Sequence, residues 1–265
     1  MNDRFAARRA AFRKLHESGC FLIPNPWDAG SARALEKLGF KALATTSSGF
    51  AFTLGRPDGA AALDAVIEHT RQLDGATSLP VSVDLENGYG PDPEHAATAI
   101  TRAAGAGAVG GSIEDYDPRG EIYGLEQAAE RVAAACEAAR RLDFPFLVTA
   151  RAENHIRGNP DLDDTIARLQ AYERAGADVL YAPGLRTTDE IRAVCEATGK
   201  PVNVLARPGL SMAEIAAAGA QRVSVGGALA WVAVGALTGA AERMRDDGDF
   251  SALDVSSPPK AWLSG

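Results

Sequence analysis

The feature that most constrains the fold of this chain is an alternation of strand-like and helix-like segments, repeated eight times. The segments between the strands are rich in alanine and have helical periodicity, as in "PEHAATAITRAAGAG" and "LEQAAERVAAACEAARRL". This alternation predicts a parallel sheet, and eight units within 265 residues favour a closed (β/α)8 TIM barrel over an open doubly wound sheet. The eight apolar, β-branched runs lie near residues 20–24, 42–46, 80–85, 108–114, 145–151, 178–182, 201–206 and 221–226.

The domain organisation is simple, because no linker rich in Gly, Ser or Pro divides the chain. Residues 1–265 are predicted to form one barrel domain, with an irregular tail over 256–265. An extra C-terminal helix is predicted over 226–241, a segment without charges and rich in Gly and Ala. Its 16 residues fall short of the roughly 20 needed to span a bilayer, so we expect a buried or interface helix. The basic N-terminal segment lacks the apolar run of a secretory signal and is interpreted as a surface helix.

Composition restricts the possible partners. The net charge of −8 argues against nucleic acid and against anionic membranes, since both reward clusters of Lys and Arg. The content of 46% hydrophobic and 23% charged residues is typical of a soluble globular protein. Cys20, Cys136 and Cys195 are scattered, odd in number and never paired as Cys-x-x-Cys, which indicates reduced packing residues in a cytoplasmic protein.

Polar side chains share one face of otherwise apolar strands. In "PVSVDLENGYG" the alternation of a strand places Ser82, Asp84 and Glu86 on the same side. Asp84, Glu86, Glu114 and Arg151 fall at carboxyl ends of strands, where barrels of this type carry their reactive groups. If Asp84 points into the barrel, the same alternation directs inward Ser112, Glu114, Thr149, Arg151, Asn203 and Ser224.

Carboxylates without a nearby His or Cys favour a hard cation such as Mg²⁺ or Mn²⁺ over zinc. Such an ion, when a carbonyl oxygen of a substrate binds to it, stabilises negative charge on that oxygen as a Lewis acid. Backbone amides and an arginine would hold the anion of the substrate itself. A site of this composition is suited to forming enolates.

Four motifs, in this order and at these spacings, resemble the isocitrate lyase/phosphoenolpyruvate mutase superfamily: "TTSSGFAFTLGRPDG" (45–59), "DLENGYG" (84–90), "SIEDYDP" (112–118) and "ARAENH" (150–155). Each motif is weak alone, but the ordered set is specific and covers most of the barrel. The resemblance implies a (β/α)8 barrel that binds Mg²⁺ and a 2-oxo acid or its enolate, then breaks or rearranges a C–C or P–C bond. It also implies that subunits exchange the last helix, so we expect a homodimer or a homotetramer.

The resemblance implies a set of metal ligands. Asp84 matches the acid that ligates the metal directly. Glu86 stands where the family usually has a second Asp that holds the ion through water, and its extra methylene would allow direct ligation. Asp58 and Glu114 match the remaining carboxylates around the metal. The expected cofactor is Mg²⁺, with Mn²⁺ as the alternative.

The resemblance also implies substrate-binding residues. Ser48, Gly49 and Phe50 match a loop whose backbone N–H groups hold the substrate carboxylate or oxyanion. Arg151 matches the strand-end arginine that pairs with the same anion. Asn203 is predicted to bind substrate, and its alternative is a polar filler of the barrel interior.

Arg151, Glu114 and Glu153 are predicted to be the catalytic residues, with Glu153 at the family position that follows the arginine. The alternative for Arg151 is a structural ion pair with one of these glutamates. His155 is a possible proton donor at the mouth, although a structural histidine is favoured.

The sequence departs from the family in its gate loop. Lyases of the superfamily carry a Lys-Lys/Arg-Cys-Gly-His segment after the fourth strand, whereas this chain has "EDYDPRGEIYG", without a cysteine. The mutase and phosphonate hydrolase branch has Lys followed by Asn there, and Arg119 with Gly120 is a loose substitute.

The favoured function is a Mg²⁺-dependent enzyme that cleaves a C–C bond in a small 2-oxo acid through an enolate-like intermediate, as a lyase or decarboxylase. One alternative is P–C bond chemistry on a phosphonopyruvate-like substrate, by a mutase or a hydrolase. Another is a barrel that binds a 2-oxo acid without turnover.

Overall fold

The computed structural model describes residues 3–254, with side chains from residue 5 onward. Within these residues eight parallel strands form one sheet, in the order β1-β10-β9-β8-β7-β4-β3-β2. The N–H of Ala44 donates to the carbonyl of Pro24 (3.1 Å), which joins the two ends of the sheet. The barrel strands are β1 (Phe21–Ile23), β2 (Leu43–Ala44), β3 (Val81–Asp84), β4 (Gly110–Glu114), β7 (Leu147–Arg151), β8 (Val179–Tyr181), β9 (Val202–Leu205) and β10 (Arg222–Ser224).

This architecture confirms the predicted (β/α)8 TIM barrel, and each observed strand lies inside its predicted run. Two further short strands, β5 (Tyr116–Asp117) and β6 (Glu121–Ile122), form an antiparallel hairpin after β4. The hairpin occupies the segment predicted to be the gate loop. The irregular tail predicted over 256–265 lies outside the described residues.

Helices surround the barrel and bury their alanine-rich faces against it. In α5, Ala96, Ala99, Ile100 and Ala103 are fully buried, because small residues repeat at helical spacing and allow close approach. The helices are α1 (Asp3–Leu15), α2 (Ala29–Lys37), α3 (Ser47–Thr53), α4 (Leu63–Ala76), α5 (Pro93–Gly105), α6 (Leu125–Arg140), α7 (Leu162–Ala175), α8 (Thr188–Ala197), α9 (Met212–Ala217) and α10 (Ala228–Asp247).

Helix α1 packs across the amino ends of the barrel strands. Its Phe12 is buried in a cluster with Ile23, Ala42 and Val109, residues that lie in or just before strands. The segment predicted as a surface helix therefore contributes to the core. His16, which follows this helix, reaches the barrel interior and contacts Arg222 (3.4 Å).

Helix α10 has little contact with the rest of its own chain. Ala230 is its buried residue, whereas Trp231, Val232 and Leu237 are exposed by 49–68%. The prediction that this helix is buried within its own chain is wrong. The alternative, that it lies at an interface between subunits, stays a prediction. Among the helices of residues 3–254, none combines the length and apolarity that crossing a membrane requires.

The strand register aligns the polar residues of neighbouring strands. Asp84 is the Cα partner of Ser112, which is in turn the partner of Thr149. Glu114 is the partner of Arg151. Because Cα partners in a parallel pair point to the same face, these side chains gather inside the barrel and at its carboxyl-end mouth.

Candidate active site

Asp84 lies at the end of β3 in a network of hydrogen-bond donors. Its Oδ1 accepts from Arg151 (2.8 Å) and from the hydroxyl of Ser112 (3.2 Å). Its Oδ2 accepts from the backbone N–H of Ser47 (3.3 Å). The side chain of Asp84 remains 15% exposed, so it faces the mouth rather than the core.

Arg151, at the end of β7, is the centre of a carboxylate cluster. Its guanidinium contacts Asp84, Glu114 and Glu153, with N–O distances of 2.8 Å to each. Burial lowers the pKa of Arg151, but the three carboxylates more than offset this effect and raise the pKa well above its usual value. Arg151 therefore stays charged, and its donors are already engaged by acids of the same chain.

Glu153 and Glu114 connect this cluster to a second arginine. Glu153 is 1% exposed and accepts from Arg151 and from Arg157 (3.2 Å). The backbone N–H of Glu153 donates to Asp115, which fixes the turn after β7. Burial raises the pKa of Glu114 well above its usual value, with Arg151 opposing the shift. Arg157, which lies over the ring of Tyr116 at 3.7 Å, was missed by the sequence analysis.

The turn after β3 holds Glu86 in a backbone conformation that side chains rarely adopt. Its φ is +48°, and Tyr89 three residues later has φ +66°. The hydroxyl of Tyr89 donates to the carboxylate of Glu86 (3.4 Å). Burial raises the pKa of Glu86 to about 8, and the nearby charges of Asp84 and Asp58 add to the shift. Backbone strain of this kind, next to crowded acids, is common at ligand-binding turns.

Two adjoining cavities open at the mouth. One, of about 240 Å³, extends down into the barrel and is lined by groups that include Asp84, Arg151, Asn203 and Arg222. The other, of about 280 Å³, lies beside it under the β5–β6 hairpin. Both are lined by Ser47, Asp58, Arg151 and Arg157. The second is also lined by Glu86 and Glu114, so the two cavities bring together the four predicted metal ligands.

The expected anion loop has a different arrangement from the predicted one. Ser48, Gly49 and Phe50 lie in the first turns of α3, where the N–H of Gly49 is capped by Thr46 and that of Phe50 donates to the Thr46 carbonyl. Those two N–H groups are therefore occupied within the helix, which corrects the prediction for Gly49 and Phe50. Phe50 stacks on His69 instead, with ring centroids 4.1 Å apart.

In the segment 45–50, the residues that line the deeper cavity are the first four and not Gly49 or Phe50. Thr45, Thr46 and Ser47 line the deeper cavity together with Ser48. Thr45 also accepts the N–H of Asp84 (2.8 Å), which links β2 to β3 at the site. Residues 45–48 are all polar, and this run could have predicted that Thr45, Thr46 and Ser47 also line the site.

The floor of the deeper cavity contains the polar residues of the last strands. Asn203 donates to Ser224 (2.9 Å) and accepts from Arg222 (2.8 Å). Arg222 also donates to Thr149 (3.0 Å). Tyr181 is the Cα partner of both Arg151 and Asn203, so it lies between these two residues in the sheet. Sequence reasoning missed Arg222 and Tyr181, although Arg222 has the same strand parity as Ser224.

His155 and the cysteines lie outside the cluster. His155 contacts Thr165 (3.2 Å) and Glu190 (3.7 Å), which agrees with the favoured structural interpretation. None of the three cysteines, all within residues 3–254, lines either mouth cavity, and Cys136 is buried in α6. The site therefore has no thiol for proton transfer.

The acids at the mouth fit a hard divalent ion that keeps part of its water shell. In the part of the chain that the structure describes, no three His, Cys, Asp or Glu side chains converge closely enough to enclose an ion by themselves. Mg²⁺ does not require such a cage, because it typically binds one or two carboxylates and retains several waters. The crowding of Asp58, Asp84 and Glu86, which raises the pKa of Glu86, is a charge arrangement that a cation would relieve.

The charged residues of this chain gather at the carboxyl-end mouth, which is where TIM-barrel enzymes carry their active sites. The model of the phosphoenolpyruvate phosphomutase family matches residues 12–245, so the chain belongs to this family, within the phosphoenolpyruvate mutase/isocitrate lyase superfamily. This confirms the resemblance inferred from the four motifs.

Individual relatives agree with this assignment. A Burkholderia cenocepacia structure, described provisionally as a lyase/mutase, is 54% identical, with a TM-score of 0.96 over 99% of this chain and 97% of its own. Oxaloacetate decarboxylase of Rhodopseudomonas palustris is 31% identical over 82% of this chain and 77% of its own. Phosphonopyruvate hydrolase, solved with oxalate and Mg²⁺, is 27% identical, with a TM-score of 0.82 over 98% of this chain and 93% of its own. The chain is an enzyme of this superfamily, with lyases and decarboxylases among its relatives.

Proposed function

We propose that the protein is a Mg²⁺-dependent enzyme that cleaves a C–C bond in a small 2-oxo acid, as a lyase or a decarboxylase. The observation that carries the proposal is the grouping of Asp58, Asp84, Glu86 and Glu114 around two adjoining cavities that Arg151 also lines. The similarity to oxaloacetate decarboxylase supports C–C cleavage. The Mg²⁺ complex of phosphonopyruvate hydrolase supports the choice of ion, with Mn²⁺ as the alternative.

The acids divide into a direct ligand and residues that act through water. Asp84 would hold the ion directly, because its carboxylate is partly exposed at the mouth and faces the deeper cavity. Asp58, Glu86 and Glu114 would hold the waters of its shell. The bound Mg²⁺ would supply Lewis acidity toward the oxo oxygen of the substrate.

The remaining residues would bind and orient the substrate. Arg151, whose Nε and one Nη contact Glu153 and Glu114, would turn its other Nη, which contacts Asp84 here, toward the enolate oxygen. That oxygen becomes negative as the electron pair of the broken C–C bond moves toward the oxo group. Ser48 would contact the substrate from the wall of the deeper cavity, and Asn203 from the floor. The β5–β6 hairpin, whose Tyr116 lines the second cavity, would exclude water when it closes.

A turnover assay tests this proposal. The purified protein would be given oxaloacetate with Mg²⁺ and with EDTA, and pyruvate release above the uncatalysed rate would be measured. We expect Mg²⁺-dependent release that Asp84→Asn abolishes. Asp189→Asn is the matched control, because Asp189 is 89% exposed on α8 and lines neither mouth cavity. Release that is unaffected by EDTA or by Asp84→Asn would overturn the proposal.

The second candidate function is P–C bond chemistry on a phosphonopyruvate-like substrate. The family match and the similarity to phosphonopyruvate hydrolase favour it. The same preparation would be assayed with phosphonopyruvate, by phosphate release for a hydrolase and by phosphoenolpyruvate formation for a mutase. Faster turnover of phosphonopyruvate than of oxaloacetate would replace the first candidate with the second.

A further inference from the structure

Arg222 is a buried cation at the floor of the deeper cavity. It begins β10, is 6% exposed and lines the cavity beside its Cα partner Asn203, two residues before Ser224. Its Nε donates to Asn203 Oδ1 (2.8 Å), and one Nη donates to the hydroxyl of Thr149 (3.0 Å). The other Nη contacts His16 Nε2 (3.4 Å).

All of these partners are neutral. The Nδ1 of His16 contacts the carbonyl of Phe12 (2.9 Å), so the ring donates there and presents Nε2 as an acceptor to Arg222. Burial and the neighbouring Arg222 lower the pKa of His16 to about 4, which keeps the ring uncharged. Among residues 3–254, no carboxylate forms an ion pair with Arg222.

Arg151 has the opposite surroundings, although it lines the same cavity. Its guanidinium is shared among three carboxylates, so the positive charge is locally exceeded. The cavity therefore has an acidic mouth and a cationic floor. An ion and the oxo acid head would occupy the mouth, whereas the floor attracts a negative group.

Burial of a cation without a counter-charge is unfavourable, and three neutral acceptors compensate for only part of the lost hydration. Burial accordingly lowers the pKa of Arg222 to about 10. A guanidinium has five N–H donors, and the three hydrogen bonds above leave two of them available. An anion in the cavity would supply both the charge and the acceptors.

We propose that Arg222 forms a second anion subsite, which binds the distal anionic group of a substrate whose oxo acid head lies at the mouth. The inference rests on the proposed function and extends it by assigning the distal anionic group of the substrate to Arg222. Asn203 and Thr149 act as positioning residues, since each accepts from Arg222 and fixes the plane of its guanidinium.

The structural alternative is that Arg222 only crosslinks α1 to the barrel through His16. That role requires the hydrogen bonds but gives no reason for discrimination between ligands by charge. A comparison of ligands that differ in one carboxylate therefore separates the two roles.

The test measures binding by calorimetry in the presence of Mg²⁺ for two matched pairs of acids. Oxaloacetate is compared with 2-oxobutanoate, and 2-oxoglutarate with 2-oxopentanoate, so that each pair replaces the distal carboxylate with a methyl group. In the pair of acids that binds more tightly, the dianion should bind about 30-fold more tightly than the monoanion, which is the contribution of one charge-assisted hydrogen bond. Arg222→Gln should weaken binding of the dianion more than binding of the monoanion and so abolish this preference, and Arg222→Lys should retain part of it.

Arg8→Gln is the matched control, because Arg8 is also a buried arginine on the amino-end side but lines neither mouth cavity. It should keep the preference of the wild type. Equal affinities within both pairs in the wild type, or an undiminished preference in Arg222→Gln, would overturn the inference while leaving the proposed function intact. Binding of neither member of either pair would refute the proposed function itself.

If Arg222→Gln does not fold, Arg222→Lys and a crystal structure of the wild type with the preferred dianion decide the matter. The expected result is a distal carboxylate within hydrogen-bond distance of the Arg222 guanidinium. A distal carboxylate bound elsewhere would overturn the inference.

Discussion

Replacement of Arg151 with alanine is expected to destabilise the metal-free protein and to make its stability strongly dependent on Mg²⁺. The change removes the cation that contacts Asp84, Glu114 and Glu153 at 2.8 Å each. Removal of one partner from a buried ion pair costs about 3–5 kcal/mol. At about 2–4 °C per kcal/mol for a domain near this size, the melting temperature should fall by about 6–20 °C.

Mg²⁺ should reverse part of this loss, because the three carboxylates then lack the cation that they share. A ligand present at 100 times its dissociation constant stabilises the folded state by about 2.7 kcal/mol, or about 5–11 °C on the same scale. The assay is thermal unfolding of the wild type and of Arg151→Ala, with EDTA and with Mg²⁺. At the same Mg²⁺ concentration we expect a larger increase in the melting temperature of the variant, because carboxylates that no longer share Arg151 should bind the ion more tightly.

The control for this experiment is Arg8→Ala. Arg8 is buried and donates to the Ser78 carbonyl (2.8 Å), so its loss should lower the melting temperature. Mg²⁺ should then raise the melting temperature by no more than it does in the wild type. Equal Mg²⁺-induced shifts in the wild type and in Arg151→Ala would refute the idea that the arginine and the ion neutralise the same carboxylates.

Three further predictions concern the turn, the last helix and the hairpin. The pKa of Glu86 is raised to about 8, so this group should stabilise the folded metal-free protein at acid pH. Its contribution to the free energy of unfolding should decline between about pH 4.3 and 8. Denaturant midpoints measured across this range should show the decline, and Glu86→Gln should flatten it. The exposed apolar side chains of α10, including Val232 and Leu237, predict a homodimer or homotetramer that Val232→Asp weakens; a stable monomer of the wild type in sedimentation at micromolar concentration would contradict this. Hydrogen exchange in 115–125 should slow when Mg²⁺ and an oxo acid bind, and unchanged exchange would exclude closure of the hairpin.

The sequence was sufficient to predict the barrel because each unit repeats the same pattern of a short apolar strand and an alanine-rich helix. The alternation of side chains along a strand then placed Asp84, Ser112 and Arg151 on the inner face, and all three line the deeper cavity. These predictions rest on the two-residue period of a strand, which tertiary contacts do not alter.

Predictions outside regular strands were less successful. The segment 45–50 leaves β2 and begins α3, so an anion loop could not be located from strand parity, and Gly49 and Phe50 proved to be committed to the helix. Arg157 lies in the turn after β7, where no periodicity applies. Helix α10 was expected to be buried or at an interface, and its apolar side chains are exposed on the single chain, because an apolar pattern does not specify which chain covers it.

Arg222 illustrates a signal that was present but not used. Parity placed Ser224 inside the barrel, and the same rule applies to the residue two positions earlier. An arginine at the start of a buried strand is easily interpreted as a surface residue, because most arginines are exposed. Its burial depends on His16 and α1 covering the amino ends of the strands, a contact between distant parts of the sequence.

The most direct test of a Mg²⁺-dependent oxo acid site is calorimetry on the wild type and on Asp84→Asn, with Mg²⁺ and pyruvate or 2-oxoglutarate. Asparagine keeps the shape of Asp84 but removes the charge that would hold the ion, so the affinities for Mg²⁺ and for the acid should fall together. Circular dichroism would first establish that the variant is folded. A folded Asp84→Asn protein that binds the acid with Mg²⁺-dependent, wild-type affinity would contradict the assignment of the metal site.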